Sequence, residues 1–507
     1  MTLRSIIQAP MGGGPSTPRL AAAVSNAGGL GFLAGGYLAP EQLAEDIRRT
    51  RALTEEPFGV NLFAGGYHRR SDRDAAPILE ILAEVHRELG LPAPSMPDLR
   101  PDPFRAQLDV VLAERPAYFS FTFGIPSAEA MAQLREAGIV VLGTATTAHE
   151  GVLLERAGVD AVIAQGGEAG AHRGSFAGEW ALVPTLDLVR ELARHLRVPI
   201  IASGGIMNGA GIARALRAGA SAVQMGTAFL LCDEAGTSAP YRDALRHARG
   251  DETVVTRAYS GRRARGIGNT FIDRVGERDE RILPYPIQNS LTRPMRAAAA
   301  AQGKSDYLSL WAGTGVEQIR AMPAAELVAT LIAELRDART GRPQCGEYGE
   351  HAEEDLAHVE GDDAVEALVR QERAVAQLLA GAPDAPPYAA GKWSLKQVVG
   401  HLIDDERIFV YRALCIARGD AAALESFDEN LYVAGANFDE RTLPELLREY
   451  ALVRGATVAF FDSLSNEAWS RNGKVAGYTA SVRGLAFHIA GHELHHLRVL
   501  KERYLSP

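Results

Sequence analysis

Two stretches of this chain set titratable side chains where they could do chemistry. Residues 164–174 read AQGGEAGAHRG, so Glu168, His172 and Arg173 stand among glycines and alanines. The stretch follows the apolar run VDAVIA and precedes SFAGEW, which makes it a loop leaving a buried strand. Glycine around a titratable group lets a ligand approach the backbone, and imidazole titrates near neutrality, so His172 is a candidate general base. The second stretch is HELHH, His492 to His496. It matches the H-E-x-x-H pattern of zinc proteases, but only eleven residues follow it, which leaves little chain for a downstream third ligand. His401, in GHLIDDERIF, offers an upstream ligand instead. His492 and His496 lie one helical turn apart, and a third imidazole from another helix would complete a metal site with an open position. His488 shares the face of His492, and His495 sits beside it.

Those residues need elements to hold them. Up to about residue 230, apolar runs alternate with helix-period segments: SIIQAP, GLGFLAG, FGVNLF, YFSFTFG, IVVLGTA, AVIAQG, VPIIASGG and AVQMGTAFL are the candidate strands. Several intervening helices end in Ala-Gly, as helices do when glycine takes a left-handed cap. Continuous apolar strands alternating with helices imply a parallel sheet covered on its outer face, and eight such units imply a (β/α)8 TIM barrel. The carboxyl ends of barrel strands carry the chemistry. Loop six is the His172 loop; loops seven and eight are SGGI, Ser203 to Ile206, and QMGTAF, Gln224 to Phe229. Glycines there let backbone N–H groups cradle a phosphate. Residues 231–340, with YSGRRARGI and SLWAGTG, form an extension that either caps the barrel mouth or serves as a structural apron. Residues 341–363 are acidic, glycine-containing and poor in apolar groups, and read as a linker. Beyond them, 364–507 holds four amphipathic helical segments, the pattern of an all-α four-helix bundle.

A chain of 507 residues exceeds one ordinary core, which agrees with two domains, 1–340 and 364–507. The net charge of −10 argues against nonspecific nucleic-acid binding. Three cysteines, Cys232, Cys345 and Cys415, share no metal or redox spacing, no secretory leader is apparent, and no uninterrupted apolar run of about 18 residues occurs. The expectation is a soluble cytoplasmic protein that binds neither nucleic acid nor membrane. The oligomeric state stays open, a homo-oligomer included.

With the barrel placed, QAPMGGGPSTPRLAAAVSNAGGLGFLAGG, FGVNLF, QGGEAGAHRG, IIASGGI and AVQMGTAFL resemble, in that order, the nitronate monooxygenases, once called 2-nitropropane dioxygenases. The resemblance covers roughly residues 4–340. It implies a barrel that holds FMN without a covalent bond and oxidises alkyl nitronates, with nitroalkanes as further candidates, using O2 to give a carbonyl compound and nitrite. On that resemblance Met11 packs by the isoalloxazine, Asn61 and Gln165 bond its ring, and Gly204, Gly205, Gln224, Gly226 and Thr227 hold its phosphate tail, with Gly170 and Ser203 in the same cofactor-binding set. His172 would stand over the flavin, binding the nitro group and acting as base; Glu168 would bond backbone and shape the loop, and Arg173 would balance charge at the rim. The family motif shows two glycines ahead of its histidine, whereas here Ala171 follows Gly170. An alanine where φ must be positive would be strained. Relatives on the same barrel reduce quinones or enoyl thioesters with NAD(P)H, and GGLGFLAGG lacks the acidic residue of a dinucleotide fingerprint. A sensor or adaptor that merely holds flavin and metal is the rival of another class. WSLKQVVGHLIDDERIFVYRAL and IAGHELHHLRVL resemble the DinB-like bundles over about residues 364–504. That likeness implies His401, His492 and His496 as ligands of zinc, nickel or another divalent ion.

Overall fold

The computed structural model describes residues 4–505 apart from 68, 69, 99, 100, 179, 277, 339 and 421. It divides into two compact units, residues 1–335 and 336–507.

All eight expected strands form in the first unit: β1 Ile6–Gln8, β2 Phe32–Ala34, β3 Gly59–Phe63, β4 Tyr118–Thr122, β5 Val140–Ala145, β6 Ala161–Gln165, β7 Ile200–Ser203 and β8 Ala222–Met225. Neighbours pair in parallel, in the order β1-β8-β7-β6-β5-β4-β3-β2. A parallel bridge between Ile7 and Leu30 joins the ends, and Leu30 N donates to Ile6 O at 2.9 Å, so the sheet closes into a barrel. Ile7, Phe32, Leu142, Ile163 and Ile201 fill its interior as one apolar cluster, which makes it a packed core and not a pore. Some of the helices around it start on side-chain caps, Thr147 accepting from Glu150 N and Asn208 from Gly211 N. Gly158 ends helix Ala148–Ala157 at φ 85°, as its Ala-Gly ending predicts.

The extension after β8 has its own core, in which Leu245, Tyr259, Phe271, Ile287, Leu291 and Met295 pack on Ile78, Leu82 and Val85 of helix Ala76–Leu89. It also reaches the mouth of the barrel. Strand Ala264–Ile267 pairs antiparallel with Thr253–Thr256 on one side and with Ala171–His172 on the other. Of the two readings of residues 231–340, this segment therefore supplies both: an apron with a core, and a strand that covers loop six.

The second unit contains four long helices, α1 Ala364–Leu379, α2 Leu395–Ala417, α3 Leu443–Asp462 and α4 Val482–Arg503, with a hairpin of Asn472–Val475 and Tyr478–Ser481 leading into α4. α2 packs on α3 and α4, and α1 on the same two helices. Capping boxes start α2, from Ser394 and Gln397, and α3, from Thr442 and Glu445. Residues 341–363 carry more structure than a linker: helix Glu353–Ala357 lies there, and Ala352, Leu356 and Val359 are buried in the core around Phe409 and Phe487. Their few apolar groups share one side, and overall acidity hides such a pattern. Among the described residues no helix is long and apolar enough to cross a membrane.

Candidate functional site

A cavity of about 670 Å³ opens at the carboxyl ends of the barrel strands, and every residue expected at a cofactor or base position lines it: Met11, Asn61, Gln165, Gly170, His172, Ser203, Gly204, Gly205, Gln224, Gly226 and Thr227. Loop seven turns at Gly204 and Gly205, with φ of 125° and 69°. A Cβ on Gly204 would lie 2.8 Å from Thr185 Oγ1 and 2.9 Å from Ala169 N, so no side chain fits. A Cβ on Gly226 would come no nearer than 3.5 Å to Ala9 Cβ and 3.9 Å to Met11 Sδ, ordinary contacts that leave the cavity side of loop eight open. Thr227 Oγ1 accepts from Gly313 N at 3.0 Å and ties loop eight to the extension.

The polar lining tests whether a flavin phosphate and ring fit here. Gln224 Oε1 and Thr237 Oγ1 are buried in this lining without a protein partner, a cost that a bound polar ligand would remove. Asn61 Nδ2 donates to Ser120 Oγ at 2.9 Å, which leaves its carbonyl oxygen as the group to meet a ligand. Gln165 is differently engaged. Its Nε2 donates to His172 O at 2.8 Å and its Oε1 accepts from Gly174 N at 2.8 Å, so the amide clamps loop six.

Loop six is held at both ends. Glu168 accepts from Thr185 N at 2.9 Å and Thr185 Oγ1 at 2.7 Å, as a loop-shaping carboxylate should. Arg173 is not at the rim: it is 3% exposed, its Nη1 donates to Gly166 O, and burial, opposed by Glu150, lowers its pKa to about 10. A guanidinium this close to the strand end meets the Gly166 carbonyl before it can reach solvent. A Cβ on Gly170 would stand 2.6 Å from Ala312 C and Gly313 N, which explains the glycine by the approach of the extension. Ala171 has φ of 60°. The position does need a positive φ, and alanine accepts it because strand pairing with Arg265 holds the backbone there.

His172 is partly exposed, towards the cavity. Its Nε2 lies 2.7 Å from Ser260 Oγ, and its ring packs against Phe123 and Trp311 at centroid distances of 5.8 and 5.6 Å. Desolvation first, then Arg262 and Arg296, lower its pKa to about 3, so the ring is neutral at pH 7. Ser260 Oγ also faces Arg262 O at 3.2 Å. If the hydroxyl donates to that carbonyl, it accepts from His172 Nε2–H and leaves the Nδ1 lone pair as the ring's base. Phe123, at φ 76°, carries the Arg262 guanidinium 3.8 Å above its ring. Sequence reading missed Ser260, Phe123, Arg262 and Trp311 as site residues. YSGRRARGI and SLWAGTG were visible signals, but no periodicity could bring a segment some 90 residues away over loop six.

The second cluster lies inside the bundle. His401 Nε2 and His496 Nε2 are 3.2 and 3.1 Å from His492 Nε2, and one ligand atom from each ring lies within 4.8 Å of the others. Asp405 Oδ2 is 3.2 Å from His492 Nδ1, so that nitrogen carries a proton towards the carboxylate and Nε2 presents its lone pair to the centre. Two neighbouring rings cannot both donate well to one lone pair, whereas a cation accepts all three. Tetrahedral zinc at about 2.0–2.1 Å from nitrogen would set ligand atoms about 3.3–3.4 Å apart, close to the spacings found. Burial and then His492 lower His401 to about 4, and the same causes lower His496 to about 2, which keeps both neutral and able to ligate. Burial would lower His492 too, but Asp405 outweighs it and the pKa rises. His488 instead stacks on Phe409 at 4.2 Å, and His495 faces Asp355 at 3.5 Å. Glu493 is 2% exposed and accepts from Tyr450 OH at 2.7 Å and Arg454 Nη2 at 2.6 Å. The glutamate of HELHH thus belongs to a buried ion network with Arg454 and Glu406, and not to a protease centre.

Comparison with known proteins finds two families along the chain. Residues 1–334 match the family Nitronate monooxygenase, and residues 299–500 match the DinB superfamily. A nitronate monooxygenase of Pseudomonas aeruginosa is 46% identical over 342 residues, covering 65% of this chain and 96% of its own. Among solved structures, a nitroalkane oxidase from Streptomyces ansochromogenes is 42% identical with a TM-score of 0.62, over 66% of this chain and 96% of that one. FabK from Thermotoga maritima is 29% identical with a TM-score of 0.53, over 66% and 94%. The chain belongs to the nitronate monooxygenase family, a family of flavin-dependent oxidoreductases, and carries a DinB-superfamily bundle after its barrel.

Proposed function

We propose that the barrel binds FMN and oxidises alkyl nitronates with O2 to a carbonyl compound and nitrite. The observation that carries this reading is His172, neutral and partly exposed in a cavity that also holds the glycine turns of loops seven and eight. Gly204, Gly205, Gln224, Gly226 and Thr227 would hold the phosphate, Asn61 the ring, and Met11 its face. Bound flavin supplies the electron acceptor that protein side chains lack.

The chain's own residues do the rest. Arg262 and Arg296, the two cations that depress His172, give the cavity a positive potential that favours an anionic nitronate over its neutral parent. Phe123 and Trp311 pack against the imidazole. With a neutral nitroalkane, His172 is the group placed to take the α-proton; a pKa lowered to about 3 makes it a weak base, and the neighbouring guanidiniums offset this by stabilising the carbanion that forms. Ser260 holds the ring through Nε2. In the bundle, His401, His492 and His496 would hold a divalent ion such as zinc or nickel.

Anaerobic reduction of the FMN-loaded chain by propyl-2-nitronate, NADH and NADPH tests the proposal. Bleaching by the nitronate alone, followed by O2 consumption and nitrite release in air, is the expected result. Bleaching by NAD(P)H and not by nitronate would favour a reductase of the FabK kind, and no bleaching by any of them a holding role.

A further inference from the structure

We propose that Glu429 is the fourth ligand of the three-histidine site, a carboxylate that any outside donor must displace; this rests on the metal reading of His401, His492 and His496. Three imidazoles leave a tetrahedral divalent ion one position short. Glu429 Oε2 lies 3.9 Å from His401 Nε2, the same nitrogen that meets His492 Nε2 at 3.2 Å. A tetrahedral edge between ligand atoms is about 3.3–3.4 Å, and the Glu429 oxygen, which does not lie within 4.8 Å of all three ligand nitrogens, reaches the ion by turning about its exposed side-chain bonds.

The fold aims this residue. Glu429 opens the helix Glu429–Gly435, which Asp428 caps by accepting from Asn430 N at 3.0 Å and Leu431 N at 3.1 Å. Val433, four residues on and therefore on the same helix face, is buried with Val399 and Phe438. Val399 belongs to α2, the helix that bears His401, so the anchor that seats the short helix also turns Glu429 towards the histidines. Asp405, the other carboxylate at the cluster, is committed to Nδ1, on the far edge of the His492 ring. Three neutral imidazoles offset none of an ion's charge, and Glu429 would offset half of it. Its side chain is 53% exposed, so the bond it forms can open towards solvent.

Co2+ binding to the full chain tests this, read by absorption beyond the flavin bands. Wild type should take one equivalent. Glu429→Ala should still bind through the histidines with affinity at least about tenfold lower, since even outer partners of metal ligands are worth that much. Azide should perturb the variant's cobalt bands at concentrations that leave wild type unchanged. Glu429→Gln keeps the shape without the charged oxygen and should behave like the alanine variant. Equal affinity and equal azide sensitivity in all three proteins would overturn the proposal while His401→Ala, by abolishing binding, upheld the histidine site. A full chain with no His401-dependent cobalt binding would overturn both.

Discussion

The barrel cavity and the bundle cluster both gather histidine in a protected place, and they do it by opposite means. His172 stands on a loop held by contacts distant in sequence: Gln165 clamps it from within the barrel, and Ser260, Trp311 and the strand Ala264–Ile267 hold it from the extension. His492 and His496 stand one turn apart on a single helix, and His401 faces them from its neighbour. The loop-borne site buys adaptability to a large cofactor at the cost of strained backbone, as at Ala171 and Phe123. The helix-borne site needs no such strain, but its convergence depends on buried charge, since Arg454 between Glu406 and Glu493 ties α2, α3 and α4 together beside it.

The sharpest way to break the comparison is at His172, the proposed base. His172→Asn should slow oxidation of a neutral nitroalkane by about 10²–10⁴-fold, the usual worth of a positioned base, while sparing a preformed nitronate to a much greater degree. Equal slowing of both substrates would make His172 an anion-binding residue. The pH profile sharpens the same point. A ring with its pKa near 3 stays neutral through the range from pH 5 to 8, so no loss of rate near pH 6.5 should trace to it in the free enzyme; a limb there that vanishes in His172→Asn would contradict the burial argument. In the bundle the corresponding blow is Arg454→Leu. It strands two buried glutamates and should cost the second unit about 3–5 kcal/mol, seen as a lower urea midpoint, with the barrel's own transition unmoved. A smaller effect is expected from the metal. Zinc at a hundredfold excess over its Kd should stabilise wild type by about 2.7 kcal/mol, raising Tm, and His401→Ala should lose that increment. Zinc that stabilises both proteins equally is binding elsewhere. The smallest effect lies in loop six, where Ala171→Gly relieves a left-handed alanine and should add up to about 1 kcal/mol to barrel stability without altering FMN content. A destabilised Ala171→Gly chain would mean that strand pairing with Arg265 leaves no strain to relieve.

Legibility followed the same divide. Eight apolar runs named the barrel strands because each is buried on both faces and carries one continuous signal, and helical spacing named His492 and His496 because i and i+4 share a face. Loop seven was readable for a related reason: a positive φ at Gly204 and Gly205 demands glycine whatever surrounds it. The segment 341–363 was harder, since Ala352, Leu356 and Val359 are too few among acids to show a period.

What the sequence determined by itself is thus the set of local rules: which runs are strands, which turns need glycine, which histidines share a helix face, and that Glu168 and His172 stand at a strand end. Only the tertiary structure decided that Arg173 turns inward, that Glu493 serves an ion network and no hydrolytic centre, that Ser260 and Trp311 frame His172, and that Glu429 faces His401. The physical reason is the range of the interactions. Backbone preference and helical period act over a few residues and leave their mark in order, whereas a hydrogen bond across 88 residues is chosen by packing between segments that carry no shared pattern.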